Sequence, residues 1–165
     1  VAAAIATMAI LLLVASGFKK FTFGLAAILA MFHDTLLVIG SFSLLWHFIG
    51  AQVDTLFVTA VLTVLSFSVH DTIVVFDRIR ENRRLHPGVD FTSIVNKSVT
   101  QTLGRSLNNS LTILFMLLAL FLLGGPTIKY FALALLIGTV SGTYSSTFTA
   151  APLLVVWDQL KKRRA

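Results

Sequence analysis

The chain has 165 residues, of which 56% are hydrophobic and only 12% are charged. Soluble domains carry roughly a quarter charged residues, so this composition excludes a water-soluble globule and indicates a multi-pass membrane protein. No cysteine is present, which excludes a disulfide framework and a thiolate metal site. The 13 Lys and Arg residues outnumber the 7 Asp and Glu residues, and this excess fits either nucleic acid or a membrane surface until the charges are placed.

Charge-poor apolar stretches of about 20 residues predict transmembrane helices. Five are found, at about 1–17, 21–50, 53–76, 101–123 and 130–157. Residues 77–100 are expected to form a cytoplasmic loop, in which the third helix continues to Leu85 and breaks at Pro87 and Gly88. Asp90 is then the expected N-cap of a short helix whose apolar residues recur at helical spacing, which predicts that it lies in the membrane interface.

Basic residues are divided unevenly between the two sets of loops. One set holds eleven Lys and Arg residues and the other holds only Lys129, while Arg105 falls inside a predicted span. By the positive-inside rule, the Val1 end faces outside and the Ala165 end is cytoplasmic. The net charge therefore reflects membrane topology, and no nucleic-acid partner is expected. Because the chain begins at Val1 and not at Met, we expect further protein upstream of it.

Three ionisable residues fall inside the predicted spans at a similar depth. At a rise of about 1.5 Å per residue, Asp71 and Arg105 lie roughly 27 and 28 Å below the outer ends of their spans, and Asp34 lies roughly 24 Å below. Ionisable groups in the hydrocarbon region are functional-site candidates by default. We therefore expect a buried ionic cluster, which is either a proton-exchanging carboxylate tuned by the arginine or a static pair that fixes helix register.

Polar residues near this cluster form two stripes at helical spacing. One stripe is Gln101, Arg105, Asn108 and Thr112, and the other is Thr59, Thr63, Ser66 and His70. These stripes either line a polar path, tie helices together, or bond back to their own helix. No nucleophile–base pair, phosphate loop or metal-ligand spacing is present, so we expect no enzyme activity, no metal and no cofactor.

The sequence also contains a short repeated segment and a regular spacing of small residues. Residues 33–38 (His-Asp-Thr-Leu-Leu-Val) and residues 70–75 (His-Asp-Thr-Ile-Val-Val) agree at four of six positions. The two spans run in opposite directions, so this is not an ordinary topological repeat, and chance similarity is a competing explanation. In the last span a small residue stands at every fourth position, which predicts close packing against another helix: Gly138, Gly142, Ser146 and Ala150.

The run at residues 68–82, Ser-Val-His-Asp-Thr-Ile-Val-Val-Phe-Asp-Arg-Ile-Arg-Glu-Asn, resembles the signature of the SecF family. Stretches at 96–105, 131–134 and 142–146 resemble later SecF blocks in the same order. The resemblance implies an all-α, polytopic transmembrane bundle of the RND type, in which the five spans are helices two to six of the family's six. It also implies the cytoplasmic (inner) membrane of a bacterium, and as partners SecD, the SecY, SecE and SecG channel, the translocating preprotein, protons and the lipid bilayer.

The resemblance further implies a proton-motive-force-driven accessory subunit that promotes preprotein export together with SecD. Matched residue by residue, Asp71 and Arg105 correspond to the family's proton-conducting acid and arginine. The residues expected beside this relay are Asp34, His70, Thr72, Gln101, Asn108 and Thr112. The alternative is a structural scaffold for SecD and the channel without proton transfer, and an unrelated small-solute channel is a third possibility that the specific motif disfavours. The chain departs from the family in having His70 where Asn is usual. The resemblance also implies a first helix and a periplasmic domain, which we expect to lie outside these 165 residues.

Overall fold

A computed structural model describes residues 21–51 and 53–164, and nearly all of them are helical. Four long helices follow one another along the chain, and the last of them is extended by a π-helical turn and a further helical segment. The elements are α1 (Phe21–Ile49), α2 (Thr55–Leu85), α3 (Phe91–Leu123), α4 (Pro126–Ser145), the π turn (Ser146–Ala150) and α5 (Ala151–Arg164).

The apolar helices support the prediction of a membrane bundle. Four stretches of the described chain are long and apolar enough to cross a membrane: Thr22–Phe48, Thr55–Leu85, Phe91–Leu123 and Pro126–Arg163. They correspond to the second to fifth predicted spans. The first predicted span, residues 1–17, lies outside the described residues.

The connection between α2 and α3 corrects one prediction and agrees with another. As expected, α2 runs to Leu85, and Asp90 caps α3 by accepting a hydrogen bond of 3.0 Å from the backbone N–H of Thr92. The predicted interfacial helix and the span at 101–123, however, form a single helix of 33 residues. The physical reason is that no proline interrupts the sequence between Phe91 and Leu123, and the single glycine, Gly104, costs only about 1 kcal/mol in a helix interior. A helix of this length measures about 50 Å, which is longer than the hydrocarbon core of roughly 30 Å.

Small residues let α4 pack closely against α2, as the four-residue spacing predicted. A Cβ atom on Gly138 would clash with the Val64 side chain, and a Cβ atom on Gly142 would lie 3.4 Å from the Cα atom of Ser68. The backbone of α4 therefore approaches α2 more closely than larger residues would permit. This approach brings the hydroxyl groups of Ser141 and Ser145 into the interior of the bundle, where both residues are buried.

Two hydrophobic clusters fill the interior on either side of a polar layer. One cluster includes Met31 of α1 and Ala150 at the end of the π turn, and the other includes Val38 of α1 and Leu135 of α4. Asp34 lies between Met31 and Val38 on α1, so it occupies the boundary between the two clusters. In the described residues every buried side-chain nitrogen and oxygen atom has a hydrogen-bond partner.

Candidate functional site

The carboxyl group of Asp34 is completely buried at a point where three helices meet, with a side-chain exposure of 0%. The Oδ2 atom accepts hydrogen bonds from Ser68 of α2, at 2.5 Å, and from Ser145 of α4, at 2.6 Å. The Oδ1 atom accepts a hydrogen bond of 2.7 Å from Ser141 of α4. The Nδ1 atom of His33, the preceding residue on α1, lies 3.3 Å from Oδ1. We call these four residues around Asp34 the carboxylate cage.

The cage satisfies the chemistry of an ionised carboxylate. Such a group is an acceptor only, and each of its oxygens here receives at least one O–H donor. The O–H to O distances match those of charge-assisted hydrogen bonds. Removing a carboxylate from water is expensive, and additional donors are what make that burial tolerable. The cage therefore ties α1, α2 and α4 together through one acidic side chain.

Asp71 occupies a different environment, at the contact between α2 and α3. It is partly exposed, and its Oδ2 atom accepts one hydrogen bond of 2.8 Å from Ser106 of α3. His70, the preceding residue, is exposed, whereas Thr72 is buried and donates to the backbone carbonyl of Ser68 at 2.8 Å. Thr72 therefore supports the segment of α2 that supplies a donor to the cage.

Arg105 does not join Asp34 and Asp71 in a buried ionic cluster, so that expectation is wrong for the described part of this chain. The residue is exposed, and it is absent from the ion pairs formed by the described residues. The physical reason is that Arg105 immediately precedes Ser106 on α3, and neighbouring residues on a helix point in different directions. Ser106 faces α2 and takes the contact with Asp71, which leaves Arg105 on the outer surface of the pair.

A cavity of about 440 Å³ opens beside Arg105 at one end of the α2–α3 contact. It is lined by polar and charged side chains together with one valine, namely Val74, Asp77, Arg78, Glu81, Gln101, Thr102 and Arg105. The Oε1 atom of Gln101 accepts hydrogen bonds from Arg78, at 2.8 Å, and from Asn82, at 2.9 Å. Gln101 therefore fixes α3 against α2 at this end of the bundle.

The two polar stripes lie mostly on the outer surface of the described bundle. Asn108 and Thr112 are exposed, and Thr112 donates back to the carbonyl of Asn108 at 2.9 Å. On α2, the hydroxyl groups of Thr59, Thr63 and Ser66 likewise donate to carbonyls four residues earlier. Their hydrogen bonds thus remain within their own helices, and these faces of α2 and α3 are not covered by the rest of the described chain.

Comparison with known proteins identifies the family. The model of the family "Protein export membrane protein SecD/SecF, C-terminal" matches residues 1–160. The chain belongs to the SecD/SecF family. It is 57% identical over 162 residues to the protein translocase subunit SecF of Thermobaculum terrenum, with 96% of this chain and 51% of that protein covered. It is also 44% identical to the subunit SecDF of Thermus thermophilus over 93% of this chain and 20% of that protein.

Solved structures support the same assignment. The crystal structure of SecDF in its super-membrane-facing form matches with a TM-score of 0.84 and 43% sequence identity, over 93% of this chain and 20% of that chain. A second SecDF structure, described as a translocon-associated membrane protein, matches with a TM-score of 0.83. The chain spans about half the length of the SecF relatives that it matches.

Four serines of this SecD/SecF family member, Ser68, Ser106, Ser141 and Ser145, were not predicted as site residues from the sequence. Ser141 and Ser145 lie 107 and 111 residues from Asp34 along the chain, so only the fold shows that they bond to it. Their spacing of four residues, which places both on one face of α4, was the available signal. In the described residues no group of three or more His, Asp and Glu side chains is arranged to hold a metal ion.

Proposed function

We propose that the chain is the membrane part of a SecF subunit, which works with SecD as an accessory to the Sec protein translocase in the bacterial cytoplasmic membrane. The family match over residues 1–160 supports this proposal. A SecDF relative supports SecD as the partner, because its name joins the two subunits in one protein. The SecY, SecE and SecG channel and the translocating preprotein are the further partners that this role requires.

The exposed polar faces of α2 and α3 are the main observation in favour of SecD as a partner. His70, Arg105, Asn108 and Thr112 all lie on the outer surface, and Asp71 is only partly covered. Ionisable and amide side chains are costly against lipid and normally face the interior of a bundle or a water-filled path. SecD helices that cover this face would form, together with it, a closed polar interior.

Within that interior, Asp71 accepts and releases protons driven by the proton-motive force. Ser106 donates a hydrogen bond to the ionised form, and the exposed imidazole of His70 lies beside the carboxyl group in sequence. Burial favours a neutral carboxyl group and a nearby cation favours the ionised one, so movement of Arg105 relative to Asp71 would change proton occupancy. Gln101, Asn108 and Thr112 lie on the same helix as Arg105 and line the proposed path.

The rival role is a scaffold for SecD and the channel with a permanent Asp71–Arg105 ion pair. That pair is absent from the ion pairs that the described residues form, so this version of the scaffold has no support in the bundle itself. An unrelated small-solute channel would not be expected to match the SecD/SecF family model over residues 1–160. The uneven basic residues further favour a cytoplasmic Ala165 end and an outer Val1 end.

The test is Asp71→Asn in the full-length subunit with SecD, because Asn has nearly the same shape and cannot ionise. We expect the proton-gradient-dependent part of preprotein export in membrane vesicles to be lost. Asp54→Asn is the matched control, since Asp54 is exposed and caps α2 by accepting a 2.9 Å bond from Phe57 N–H, which Asn also does. Export with full gradient dependence in Asp71→Asn would exclude the motor role and leave the scaffold.

A further inference from the structure

The carboxylate cage contains a titratable pair that the Asp71 site does not use. His33 and Asp34 are adjacent on α1, and their Nδ1 and Oδ1 atoms are 3.3 Å apart. The Asp34 side chain is completely buried, whereas 41% of the His33 side chain is exposed on the surface of the described bundle. His33 therefore lies between the enclosed carboxylate and the surface of the described bundle.

We propose that His33 and Asp34 form a second proton-binding site, separate from Asp71, in which the imidazole passes a proton to the enclosed carboxylate. The inference goes beyond the proposed function, and it rests on that function only in taking its proton from the same gradient. Histidine suits the transfer because its two ring nitrogens allow a proton to enter at one and leave at the other.

The transfer conserves every proton. In the resting pair the Nδ1–H group of neutral His33 donates to the Asp34 carboxylate. A proton binds at Nε2 and makes the imidazolium, and the Nδ1 proton then moves to Oδ1 of Asp34. The products are a neutral imidazole protonated at Nε2 and a neutral carboxyl group that donates back to Nδ1. The pair gains one proton in total, and the contact must shorten by a few tenths of an ångström to reach ordinary hydrogen-bond distance.

The side chains that donate hydrogen bonds to Asp34 from α2 and α4 are uncharged. The contacts of Asp34 with α2 and α4 are made by Ser68, Ser141 and Ser145, none of which titrates in this range. Asp71, the acid on α2 that follows Ser68 by three residues, does not bond to Asp34 or His33. It accepts a hydrogen bond from Ser106 of α3. Among the described residues, His33 is therefore the ionisable side chain in contact with the Asp34 carboxyl group.

The hydrogen bonds of the three serine donors differ between the ionised and the protonated state of Asp34. The serines stabilise the carboxylate when the proton is absent, and their hydrogen bonds are weaker when the carboxyl group is neutral. Ser145 has a second acceptor within reach, because its hydroxyl lies 3.3 Å from the carbonyl oxygen of Gly142. Protonation of Asp34 therefore weakens the bond from Ser145 to Oδ2 relative to the bond within its own helix, just before the π turn begins at Ser146.

The experiment is pH-dependent infrared difference spectroscopy on the full-length subunit with SecD, reconstituted in phospholipid vesicles. We expect a carbonyl band of a protonated carboxyl group that appears on acidification, disappears in Asp34→Asn and survives in the matched control Asp71→Asn. A spectrum in which Asp34→Asn removes no carboxyl band would overturn the proposal. The spectrum is recorded without export, so its result does not depend on whether Asp71 drives export.

Two further variants keep the carboxylate and cover the case in which Asp34→Asn fails to fold. His33→Gln removes the imidazole that contacts Asp34. It should shift the midpoint, which is the pH at which the Asp34 carboxyl band is half developed, by about one pH unit or more. Ser141→Ala removes one donor to the carboxylate and should move the midpoint to higher pH by a similar amount. If neither variant moves the midpoint, Asp34 does not exchange protons through this pair and the proposal is wrong.

Discussion

Two His-Asp-Thr triplets, at residues 33–35 and 70–72, have the same local structure and different surroundings. In each, the threonine hydroxyl donates to the backbone carbonyl four residues earlier, at 2.9 Å in the first triplet and 2.8 Å in the second. The aspartate of the first triplet is enclosed and accepts three serine hydroxyls, whereas that of the second is partly exposed and accepts one. The difference arises from the neighbouring helices and not from the triplets themselves.

The Asp34 site is enclosed by the described residues, whereas the Asp71 site is open on one side. All four cage residues around Asp34 come from α1, α2 and α4. Asp71 has Ser106 on one side and an open polar face on the other. The described residues therefore leave the surroundings of Asp71 open on one side, while they supply the partners of Asp34 from α1, α2 and α4.

The largest effect is expected from Gly138→Ala, which disrupts the close contact between α4 and α2 next to the cage. The new methyl group would clash with Val64, and overpacking of this kind destabilises by about 3 kcal/mol at the upper end of its usual range. Thermal unfolding of the full-length subunit in detergent would measure the loss. The midpoint of the Asp34 infrared band should shift as α4 moves away, and the Asp71 band should not.

Val64→Ala provides the control for this prediction, because it removes the side chain that the new methyl group meets. The double variant should be less destabilised than the sum of the two single changes, which is the sign expected of contacting residues. Additive losses, or a Gly138→Ala protein as stable as the parent, would show that the close approach of α4 to α2 does not hold the cage together.

A smaller effect is expected when a single serine that donates to the aspartate of each triplet is replaced. Ser68→Ala deletes a hydrogen bond to an enclosed carboxylate and should cost about 2 kcal/mol in the free energy of unfolding. Ser106→Ala deletes the equivalent bond to partly exposed Asp71 and should cost about 1 kcal/mol, because water can replace the donor. Chemical unfolding of the two variants in parallel measures the difference, and equal costs would contradict the distinction between an enclosed and an open site.

The sequence was sufficient to predict the features that depend on local composition. The apolar stretches predicted the helices, the four-residue spacing of Gly138 and Gly142 predicted a close helix contact, and Asp90 was recognised as a cap. The separate interfacial helix was wrong because a change from polar to apolar composition does not interrupt a helix. Amphipathic and spanning turns of α3 continue into one another without a break.

The partners of the two acids could not be predicted in the same way. Depth along a span placed Asp34, Asp71 and Arg105 at one level, but depth does not tell which way a side chain points. Arg105 and Ser106 are adjacent in sequence, and only Ser106 contacts Asp71. The serines of the cage are common residues in membrane helices, and their role depends on contacts between residues more than 30 positions apart.

The smallest effect concerns Asp90, an exposed acid that serves as a solvated reference for the two triplets. Hydrogen bonds from the side chain and backbone of Thr92 hold the pKa of Asp90 below its ordinary value of 3.8. A group with a lowered pKa in the folded state stabilises that state above its ordinary pKa, and the contribution disappears as pH falls through the folded value. The N-terminal turn of α3 should therefore loosen at acid pH, below the ordinary pKa of Asp90.

Asp90→Asn tests this by keeping a cap that cannot titrate, since Asn is as good an N-cap as Asp. Amide hydrogen exchange at Thr92, corrected for the intrinsic pH dependence of exchange, should show equal protection in both proteins at neutral pH. On acidification the parent should lose protection and the variant should not, with Lys162, 3.4 Å from the carboxylate, adding a small salt-sensitive part. Parallel loss in both proteins would mean that the cap does not depend on charge. Asp90 would then no longer show how an exposed carboxylate in this chain responds to pH, and the behaviour of Asp34 and Asp71 would need a different reference.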